Sequence, residues 1–475
     1  MKNFICIILF LFSSISAKNF SLKSLDNQFD YVIITIDKFR NGCEEFKDHK
    51  NSHNNFSVLI TTKNEILNEF YDSENEQENI RDFISYTNHF WQDPKPKYFL
   101  FAADLDSIPN FKFRSVDFID YNDSSYSDFY YGIDKLGDDS TKISVSVGRI
   151  SSQDTIQLKN YFSKIITYES KSFYEEWHNK SLFISDDEYG GNDLYDGNIF
   201  QSLTRKVADY LPNSITKDFI IPIDTSEFYG NNQTIMEKLN SGVSSVYFCG
   251  HANDTIFTHE SLFVYTDISK LLNVNKPFFV SFLAGQQFAR NNETSIVNEL
   301  INSQNGALAS ISPVGAVFAI QNNELIKNIW SSLYSGKSIG EIYITSINEA
   351  DNFNEKRKMN IFGDPSVTLK HNFPVSISSV DLIQEEFSLL QNYPNPFNPS
   401  TKISYTIPDL KAGEILVKLI IYDILGNEIE ILVNESQTPG KYSVTFDAKN
   451  ISTGVYFYSL ITNNFIETKK MLLIK

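Results

Sequence analysis

The sequence predicts a large α/β domain built on a mostly parallel sheet with helices on both faces, followed by a small antiparallel β-sandwich. Between residues 30 and 370, short apolar runs alternate with longer amphipathic segments, as strands and helices do in α/β folds. After residue 390 the helical patterns stop, and short alternating segments separated by turn residues follow. The chain therefore has at least two domains.

The strands of the larger domain are predicted from continuous apolar runs, each followed by Gly, Asp, Asn or Ser. Runs of this kind suit a parallel sheet that is covered on both faces. They lie at 31–35, 57–60, 98–101, 181–184, 243–248 and 277–282. Amphipathic helices are predicted between them, for example at 78–91, 155–169, 198–210 and 295–303.

A proline-rich stretch marks the start of the second domain. Residues 391–400 read QNYPNPFNPS, and neither a helix nor a central strand tolerates that spacing of prolines. We therefore expect a linker at 373–390 and a β-sandwich at 391–475. Its strands are predicted at 402–407, 417–422, 442–446 and 454–458.

The first 17 residues predict a secretory signal peptide. Lys2 precedes an apolar run at 4–12, and small residues follow at 13–17, which is the order of a cleavable signal. No later stretch approaches the roughly 18 apolar residues of a membrane span. We expect an exported chain that has no membrane span once the signal is removed.

Charge and cysteine content exclude several classes of function. The chain has 41 Lys+Arg against 59 Asp+Glu, a net charge of −18, and no basic stripe of the kind that nucleic acid requires. Nucleic acid is therefore not expected as a partner. Only three cysteines are present, Cys6, Cys43 and Cys249, too few for a disulfide framework. Cys6 would leave with the signal peptide.

The most reactive local sequence follows the run at 243–248 and reads Cys249-Gly250-His251-Ala252. A strand that leads into Gly-His places the imidazole at the carboxyl end of a parallel sheet, where such sheets bind ligands. A histidine with a pKa near 6.5 can exchange a proton near neutral pH. A histidine after a strand is also often a hydrogen-bonded structural residue, so the motif alone leaves both interpretations open.

Residues 30–370 resemble the gingipain family of cysteine peptidases through a series of segments in the same order. These are YVIIT (31–35), SDFYYGID (127–134), VGRIS (147–151), KIITYE (164–169), LFISDDEY (182–189), YFCGHAND (247–254) and IFGDPSVTLK (361–370). The resemblance implies a caspase-like fold with an N-terminal subdomain at 18–175 and a catalytic-type subdomain at 176–372. It also implies cleavage of a polypeptide substrate.

The same resemblance implies roles for individual residues. His251 would be the general base, and the backbone N–H of Ala252 would contribute to an oxyanion site. The acid that orients His251 would be Glu175 or Glu176. Asp186 and Asp187 would lie where members of the family recognise the substrate residue that precedes the scissile bond. For all four acidic residues, the alternative is a solvated loop carboxylate.

The expected nucleophile is missing. The family has an apolar strand ending in a cysteine five residues before a phenylalanine, and counting back five residues from Phe288 gives Leu283. Ser281 would need a register change to take its place. Cys249 is a candidate substitute, because residues two apart in a strand share a face at about 6.5 Å, or else it is a small buried apolar residue. Cys43 lies in an acidic segment, and we expect it to be inert.

Acidic clusters raise the question of calcium, which takes oxygen ligands in loops. The candidates are Asp134, Asp138, Asp139, Asp186, Asp187, Glu188, Asp193 and Asp196. None has the spacing of a known calcium loop, so solvated charge is the preferred interpretation and structural calcium is the alternative. No spacing indicates a zinc site or a nucleotide loop. We expect no metal and no cofactor in the reaction site.

The last 85 residues resemble the type A sorting domain of the type IX secretion system. The matching segments are YPNPFNPST (393–401), IYDILGNEI (421–429), PGKYSVTFDAKNISTGVYFYSL (439–460) and KKMLLIK (469–475). The resemblance implies contact with the type IX secretion machinery and a secreted or cell-surface location. A sandwich that binds carbohydrate or protein is the alternative.

Two function classes remain. One is an exported gingipain-like cysteine-type peptidase with His251 as its base. The other is a catalytically silent homologue that acts as a secreted or surface binding or accessory protein. Leu283 at the nucleophile position leaves open whether the chain is an enzyme.

Overall fold

The computed structural model describes residues 20–114, 124–137, 141–171, 173–187, 189–190, 194–195, 199–223, 226–258, 260–284, 294–317, 319–371, 388–389, 391–392, 394–407, 415–424, 426–438, 440–462 and 466–474. The predicted signal peptide and most of the predicted linker lie outside these ranges. The chain divides into two compact units, residues 1–372 and 373–475. Within the described ranges, each helix is too short or too polar to cross a membrane.

The first unit contains sixteen strands among its described residues. They are β1 (Tyr31–Thr35), β2 (Val58–Thr62), β3 (Tyr98–Ala102), β4 (Phe111–Arg114), β5 (Ser124–Ser127), β6 (Ser146–Ile150), β7 (Lys180–Ser185), β8 (Tyr189–Gly190), β9 (Leu194–Tyr195), β10 (Thr216–Ile220), β11 (Ser245–Gly250), β12 (Ile256–Phe257), β13 (Phe263–Val264), β14 (Phe278–Ala284), β15 (Ala307–Pro313) and β16 (Met359–Gly363).

Helices alternate with these strands. The α-helices are α1 (Glu44–His53), α2 (Lys63–Glu69), α3 (Glu76–Phe90), α4 (Phe129–Gly132), α5 (Thr155–Ser170), α6 (Ile199–Asp209), α7 (Asn232–Ser241), α8 (Ile296–Asn302), α9 (Asn323–Ser332), α10 (Ile339–Glu349) and α11 (Phe353–Lys356). Short 3₁₀ helices cover Asp37–Gly42, Glu176–Asn179 and Tyr265–Lys270.

Ten of the strands form one sheet in the order β10-β7-β11-β14-β15-β16-β6-β3-β1-β2. Every neighbouring pair is parallel except β15 and β16, which are antiparallel. The sheet therefore consists of two parallel five-stranded blocks that run in opposite directions. The carboxyl ends of β7, β11 and β14 meet at one edge of the sheet.

Burial explains why the apolar runs became strands of this sheet. Every residue of β1, β3, β6 and β11 is buried. Because successive side chains in a strand point to opposite faces, both faces must be covered by other elements. The mostly parallel α/β fold predicted from the sequence is confirmed, and β15 with β16 adds the antiparallel junction.

The second unit pairs only antiparallel strands among its described residues. They are β17 (Ser388–Leu389), β18 (Ser400–Ile407), β19 (Ile415–Tyr422), β20 (Glu428–Gln437), β21 (Gly440–Asp447), β22 (Gly454–Ile461) and β23 (Ile466–Leu473). They form a three-stranded sheet, β17-β18-β21, and a four-stranded sheet, β20-β19-β22-β23. Apolar residues of both sheets, such as Ile403 and Leu419, share one core. The predicted antiparallel sandwich is confirmed.

Candidate active site

The candidate site is built where three neighbouring parallel strands end. β11 lies between β7 and β14, with Cys249 paired to Ser185 on one side and to Leu283 on the other. His251 follows β11 directly and Asp186 follows β7 directly. Since the carboxyl ends of parallel strands share an edge, the register brings Asp186 next to His251.

Asp186 holds His251 through two hydrogen bonds to one carboxylate oxygen. The backbone N–H of His251 donates to Oδ2 at 2.7 Å, and the ring Nδ1 lies 2.8 Å from the same atom. Because a carboxylate only accepts hydrogen bonds, the proton of a neutral His251 ring lies on Nδ1. This tautomer places the lone pair on Nε2, the atom away from Asp186.

Asp186 is itself fixed in place. Its side chain is fully buried, whereas that of His251 is 44% exposed. The backbone N–H of Asp186 donates to the carbonyl of Cys249 at 2.9 Å, and its Oδ1 accepts from the N–H of Asp187 at 3.0 Å. A buried, hydrogen-bonded carboxylate next to a partly exposed imidazole is the arrangement that orients a catalytic base.

Gly250 is required for this contact. A Cβ at residue 250 would lie 2.3 Å from the Cβ of Asp186, closer than any side chain tolerates. The glycine of the Gly-His motif therefore lets the Asp186 carboxylate pass the strand and reach the imidazole. A glycine is therefore needed before His251 on steric grounds, and this requirement is not visible in the sequence alone.

Cys249 is enclosed in the core rather than presented to the crevice. Its exposed fraction is zero, and burial, with a smaller contribution from the Asp186 carboxylate, raises the pKa of the thiol to about 12. Only the thiolate is nucleophilic. At neutral pH, Cys249 is therefore a protonated apolar side chain. Cys43 is likewise buried, and burial raises its pKa to about 12.

The strand that carries Leu283, the residue predicted to occupy the nucleophile position, is β14. Leu283 pairs with Cys249, which precedes His251 by two residues. The side chain of Leu283 lies outside what the structure describes. Ser281 pairs with Tyr247 and is fully buried. Tyr247 precedes His251 by four residues, which is about 13 Å along a strand. Ser281 pairs with Tyr247 and therefore lies far from the imidazole of His251.

A hairpin follows His251 and contains Ala252. The N–H of Thr258 donates to the carbonyl of His251 at 2.9 Å, and the N–H of Asn253 donates to the carbonyl of Ile256 at 3.0 Å. Ala252 and Phe257 face each other between these two bonds. In such a pair the N–H groups point away from the hairpin, so the N–H of Ala252 is not used by the hairpin.

Glu176 does not reach His251, and the predicted role is corrected. Its side chain is 86% exposed and pairs with Lys180 at 2.7 Å; this contact lowers its pKa. Glu175 lies 3.3 Å from Lys171. Both glutamates precede β7, whereas Asp186 follows it, so they lie at the opposite edge of the sheet. The acid that contacts His251 is Asp186.

Asp186 cannot both orient His251 and bind a substrate side chain, because its own side chain is fully buried and contacts His251. Asp187 is partly buried, and carboxylate oxygens of Asp186, Asp187 and Glu260 lie within 4.8 Å of one another. Glu260 was missed by the sequence analysis because it comes from the loop after the hairpin. It also lines a polar cavity of about 460 Å³, together with Tyr229 and Asn231.

The other acidic candidates are only partly described. Asp134 contacts His89 at 2.6 Å. Asp138, Asp139, Glu188, Asp193 and Asp196 lie outside the described residues. Among described residues, the Asp186, Asp187 and Glu260 group is the only one whose oxygens are spaced closely enough to share a metal ion.

Phe200 was also missed by the sequence analysis. It lies in the first turn of α6, and its ring meets the imidazole of His251 edge to face, with centroids 5.0 Å apart and an interplanar angle of 83°. Nothing in the sequence near residue 200 indicates a site, because the contact depends on how α6 packs on β11.

Comparison with solved structures shows the same fold in known peptidases. A crystal structure of the Arg-specific cysteine proteinase gingipain R is 16% identical, with 95% of this chain and 99% of that chain covered and a TM-score of 0.57. The complex of the RgpB pro- and mature domains from Porphyromonas gingivalis is 17% identical, with coverage of 94% and 100% and a TM-score of 0.58. A third structure, described only as a protease, is 14% identical, with coverage of 94% and 98% and a TM-score of 0.58.

Family models match both parts of the chain, whereas a search of curated proteins gives no significant match. The model of peptidase family C25 matches residues 24–370, and the model of the secretion system C-terminal sorting domain matches residues 391–475. The second match indicates export through type IX secretion to the cell surface or extracellular space. The chain therefore belongs to peptidase family C25 and ends in a type IX sorting domain.

Proposed function

We propose that the first unit binds polypeptide in the crevice beside His251 and does not cleave it by thiolate attack, so that the exported chain acts as a binding or accessory protein. The observation that carries this proposal is the pairing of Leu283 with Cys249. At the strand end where the family resemblance implies a nucleophilic cysteine, this chain has a leucine. The nearest cysteine is fully buried, with a pKa raised to about 12.

Polypeptide is the ligand class that family membership favours, and the geometry supports it. The imidazole of His251 is partly exposed, and the Ala252 N–H points away from its hairpin. The Ala252 N–H can donate a hydrogen bond to a peptide carbonyl, and Nε2 of His251 can accept one from a neighbouring polar group of the peptide. Both groups lie at the edge of a parallel sheet where such sheets bind ligands. Asp187 and Glu260 add negative charge that favours a basic side chain in the bound peptide.

Restoring the missing thiol tests this proposal. In Leu283→Cys, a thiol near His251 should form a thiolate below its ordinary pKa, so iodoacetamide should modify one cysteine per chain within minutes at pH 6. Leu283→Ser is the matched control, because it has a similar small polar side chain without the thiol. His251→Ala in the Leu283→Cys background should slow the reaction at least tenfold. A wild-type chain that reacts as fast as Leu283→Cys would overturn the proposal.

Peptide-bond hydrolysis is the second candidate, and the His251–Asp186 contact favours it. A buried carboxylate on Nδ1 and a partly exposed ring are what a general base requires. In that mechanism, Nε2 takes a proton from an attacking water molecule and returns it to the amine that leaves when the C–N bond breaks. Asp186 stabilises the imidazolium, and the Ala252 N–H stabilises the oxyanion. The nucleophile would not be Cys249 or Ser281, because both are fully buried.

Incubation of the mature chain with unfolded protein substrates and with its own pro-form tests hydrolysis. If the second candidate holds, the wild type cleaves and both His251→Ala and Asp186→Asn lose activity. Background-level cleavage that is equal in the three proteins would end this candidate and leave the first.

A further inference from the structure

Asp186 holds the imidazole of His251 at one ring atom. The two hydrogen bonds to its carboxylate come from the backbone N–H and from Nδ1 of His251. The ring can swing about such a contact, because a single bond to Nδ1 does not fix the plane of the imidazole. A side chain that is 44% exposed needs a further restraint if Nε2 is to keep one direction.

Helix α6 supplies a surface in the right place. It packs against both β7 and β11. On β11, Tyr247 and Cys249 are buried and lie on one face with His251, because they are two residues apart. On α6, Phe200 and Thr204 are four residues apart and lie on one face of the helix. Burial raises the pKa of the Cys249 thiol, and the nearby Thr204 hydroxyl makes a smaller contribution in the opposite direction.

The two spacings match. Four residues along a helix advance about 6 Å, and two residues along a strand advance about 6.6 Å. If Thr204 lies over Cys249, Phe200 must lie over His251, with α6 antiparallel to β11. The measured ring contact, 5.0 Å between centroids at 83°, agrees with this placement. The edge-to-face arrangement is a favoured geometry for aromatic pairs.

We propose that Phe200 is the positioning residue that fixes the ring plane of His251, so that Nε2 keeps one direction toward the crevice while Asp186 holds Nδ1. This role rests on the proposed function in one respect: His251 is taken to be the group that meets the bound polypeptide. Phe200 does not itself touch the peptide or exchange a proton.

Ring mobility is the direct test. In the full mature chain, histidine labelled with ¹³C at Cε1 gives one signal per histidine, and His251→Ala assigns the signal of His251. We expect a rigid Cε1–H bond in the wild type, with an order parameter of about 0.85. In Phe200→Ala the order parameter of the same bond should fall below about 0.6. Phe200→Tyr, which keeps the aromatic edge, should restore the wild-type value. If Phe200→Ala does not fold, Phe200→Leu takes its place with the same expectation.

Val207→Ala is the matched control, because Val207 is a buried residue of the same helix, two turns from Phe200. It should leave His251 rigid. An unchanged order parameter in the Phe200 variant, or equal loosening in Val207→Ala, would overturn the inference. Because the measurement needs no substrate, a failure of the chain to bind polypeptide would refute the proposed function while leaving the role of Phe200 standing.

Discussion

The carboxylate of Asp186 accepts hydrogen bonds from both the backbone N–H and the ring Nδ1 of His251, at 2.7 and 2.8 Å. One buried oxygen thus fixes where the strand end lies and which tautomer the imidazole adopts. The contact crosses from the end of β7 to the end of β11, two strands that are adjacent in the sheet but separated along the chain by β8, β9, α6, β10 and α7. It is the structural centre of the candidate site.

Replacing Asp186 with asparagine should change the tautomer of His251. If the amide of the new side chain turns its N–H₂ toward Nδ1, it donates where the carboxylate accepted, and the ring proton moves to Nε2. We expect ¹⁵N spectra of labelled histidine to show this exchange in Asp186→Asn, together with a loss of about 1–3 kcal/mol in the free energy of unfolding.

Asp218→Asn is the control, because Asp218 pairs with Lys238 at 2.9 Å and lies on β10. It should leave the His251 spectrum unchanged. A wild-type tautomer in Asp186→Asn would show that Asp186 does not set the state of the ring.

A methyl group at residue 250 should destabilise the first unit. In Gly250→Ala the new Cβ would lie 2.3 Å from the Cβ of Asp186, and overpacking of this kind costs about 1–3 kcal/mol. In Gly454→Ala the nearest atom is 3.8 Å away, so the unfolding free energy should stay within about 0.5 kcal/mol. Urea unfolding measures both, and equal stability of the two variants would contradict the packing argument.

Stability should fall on mild acidification because of His178. This residue is buried and stacks on Trp177 with ring centroids 3.9 Å apart, and burial lowers the pKa of His178 from 6.5 to about 4. Between these two pH values the unfolded chain binds a proton that the folded chain does not. The unfolding free energy therefore decreases as the pH falls from 6.5 to 4.

The variant His178→Phe removes this proton while keeping the stack. A pKa shift from 6.5 to about 4 corresponds to about 3 kcal/mol in the free energy of unfolding. Solvent screening reduces this contribution to about 1–2 kcal/mol. We expect the loss of stability between pH 6.5 and pH 4 to be smaller by that amount in the variant. The exposed His53, changed to Phe, is the control. An identical loss in His178→Phe and the wild type would contradict the assignment.

Lys50 should be one of the most costly charged residues to remove. Its Nζ lies 2.6 Å from Glu169 and 2.8 Å from Asp364, and the Lys50 and Asp364 side chains have no exposed surface. Lys50→Met would leave the buried Asp364 carboxylate without its cation and Glu169 with only its contact to His49 at 2.8 Å. We expect a cost of about 3–5 kcal/mol.

The matched contrast is Lys63→Met, which breaks a more exposed pair with Glu76 at 2.9 Å and should cost less than about 1 kcal/mol. Chemical unfolding at pH 7 compares the two variants. Equal losses would show that the Lys50 network contributes no more than a surface ion pair.

Local pattern was enough to predict most strands that lead to the site. The runs at 181–184, 243–248 and 277–282 became β7, β11 and β14, because each is apolar enough to be buried on both faces. The strand β10 was missed, since its residues at the sheet edge are mostly only partly buried. The antiparallel pairing of β15 with β16 was also missed, because three helices separate them along the chain.

The site was only half predictable for the same reason. His251 stands in a recognisable motif at a strand end, but the residue that contacts it depends on the register between β7 and β11. That register selects Asp186, whereas the family resemblance implies Glu175 or Glu176 as the orienting acid. Phe200 and Glu260 reach the site through helix packing and loop folding, neither of which has a local signature.

The state of the cysteines in the folded wild-type chain tests the central claim most directly. Intact-mass measurement after iodoacetamide treatment at pH 7 counts the reactive thiols. We expect no adduct on the folded mature chain, because burial raises the pKa of both Cys43 and Cys249 to about 12, and two adducts after unfolding. A rapid adduct on Cys249 that disappears in His251→Ala would contradict the account and show a working thiol–imidazole pair.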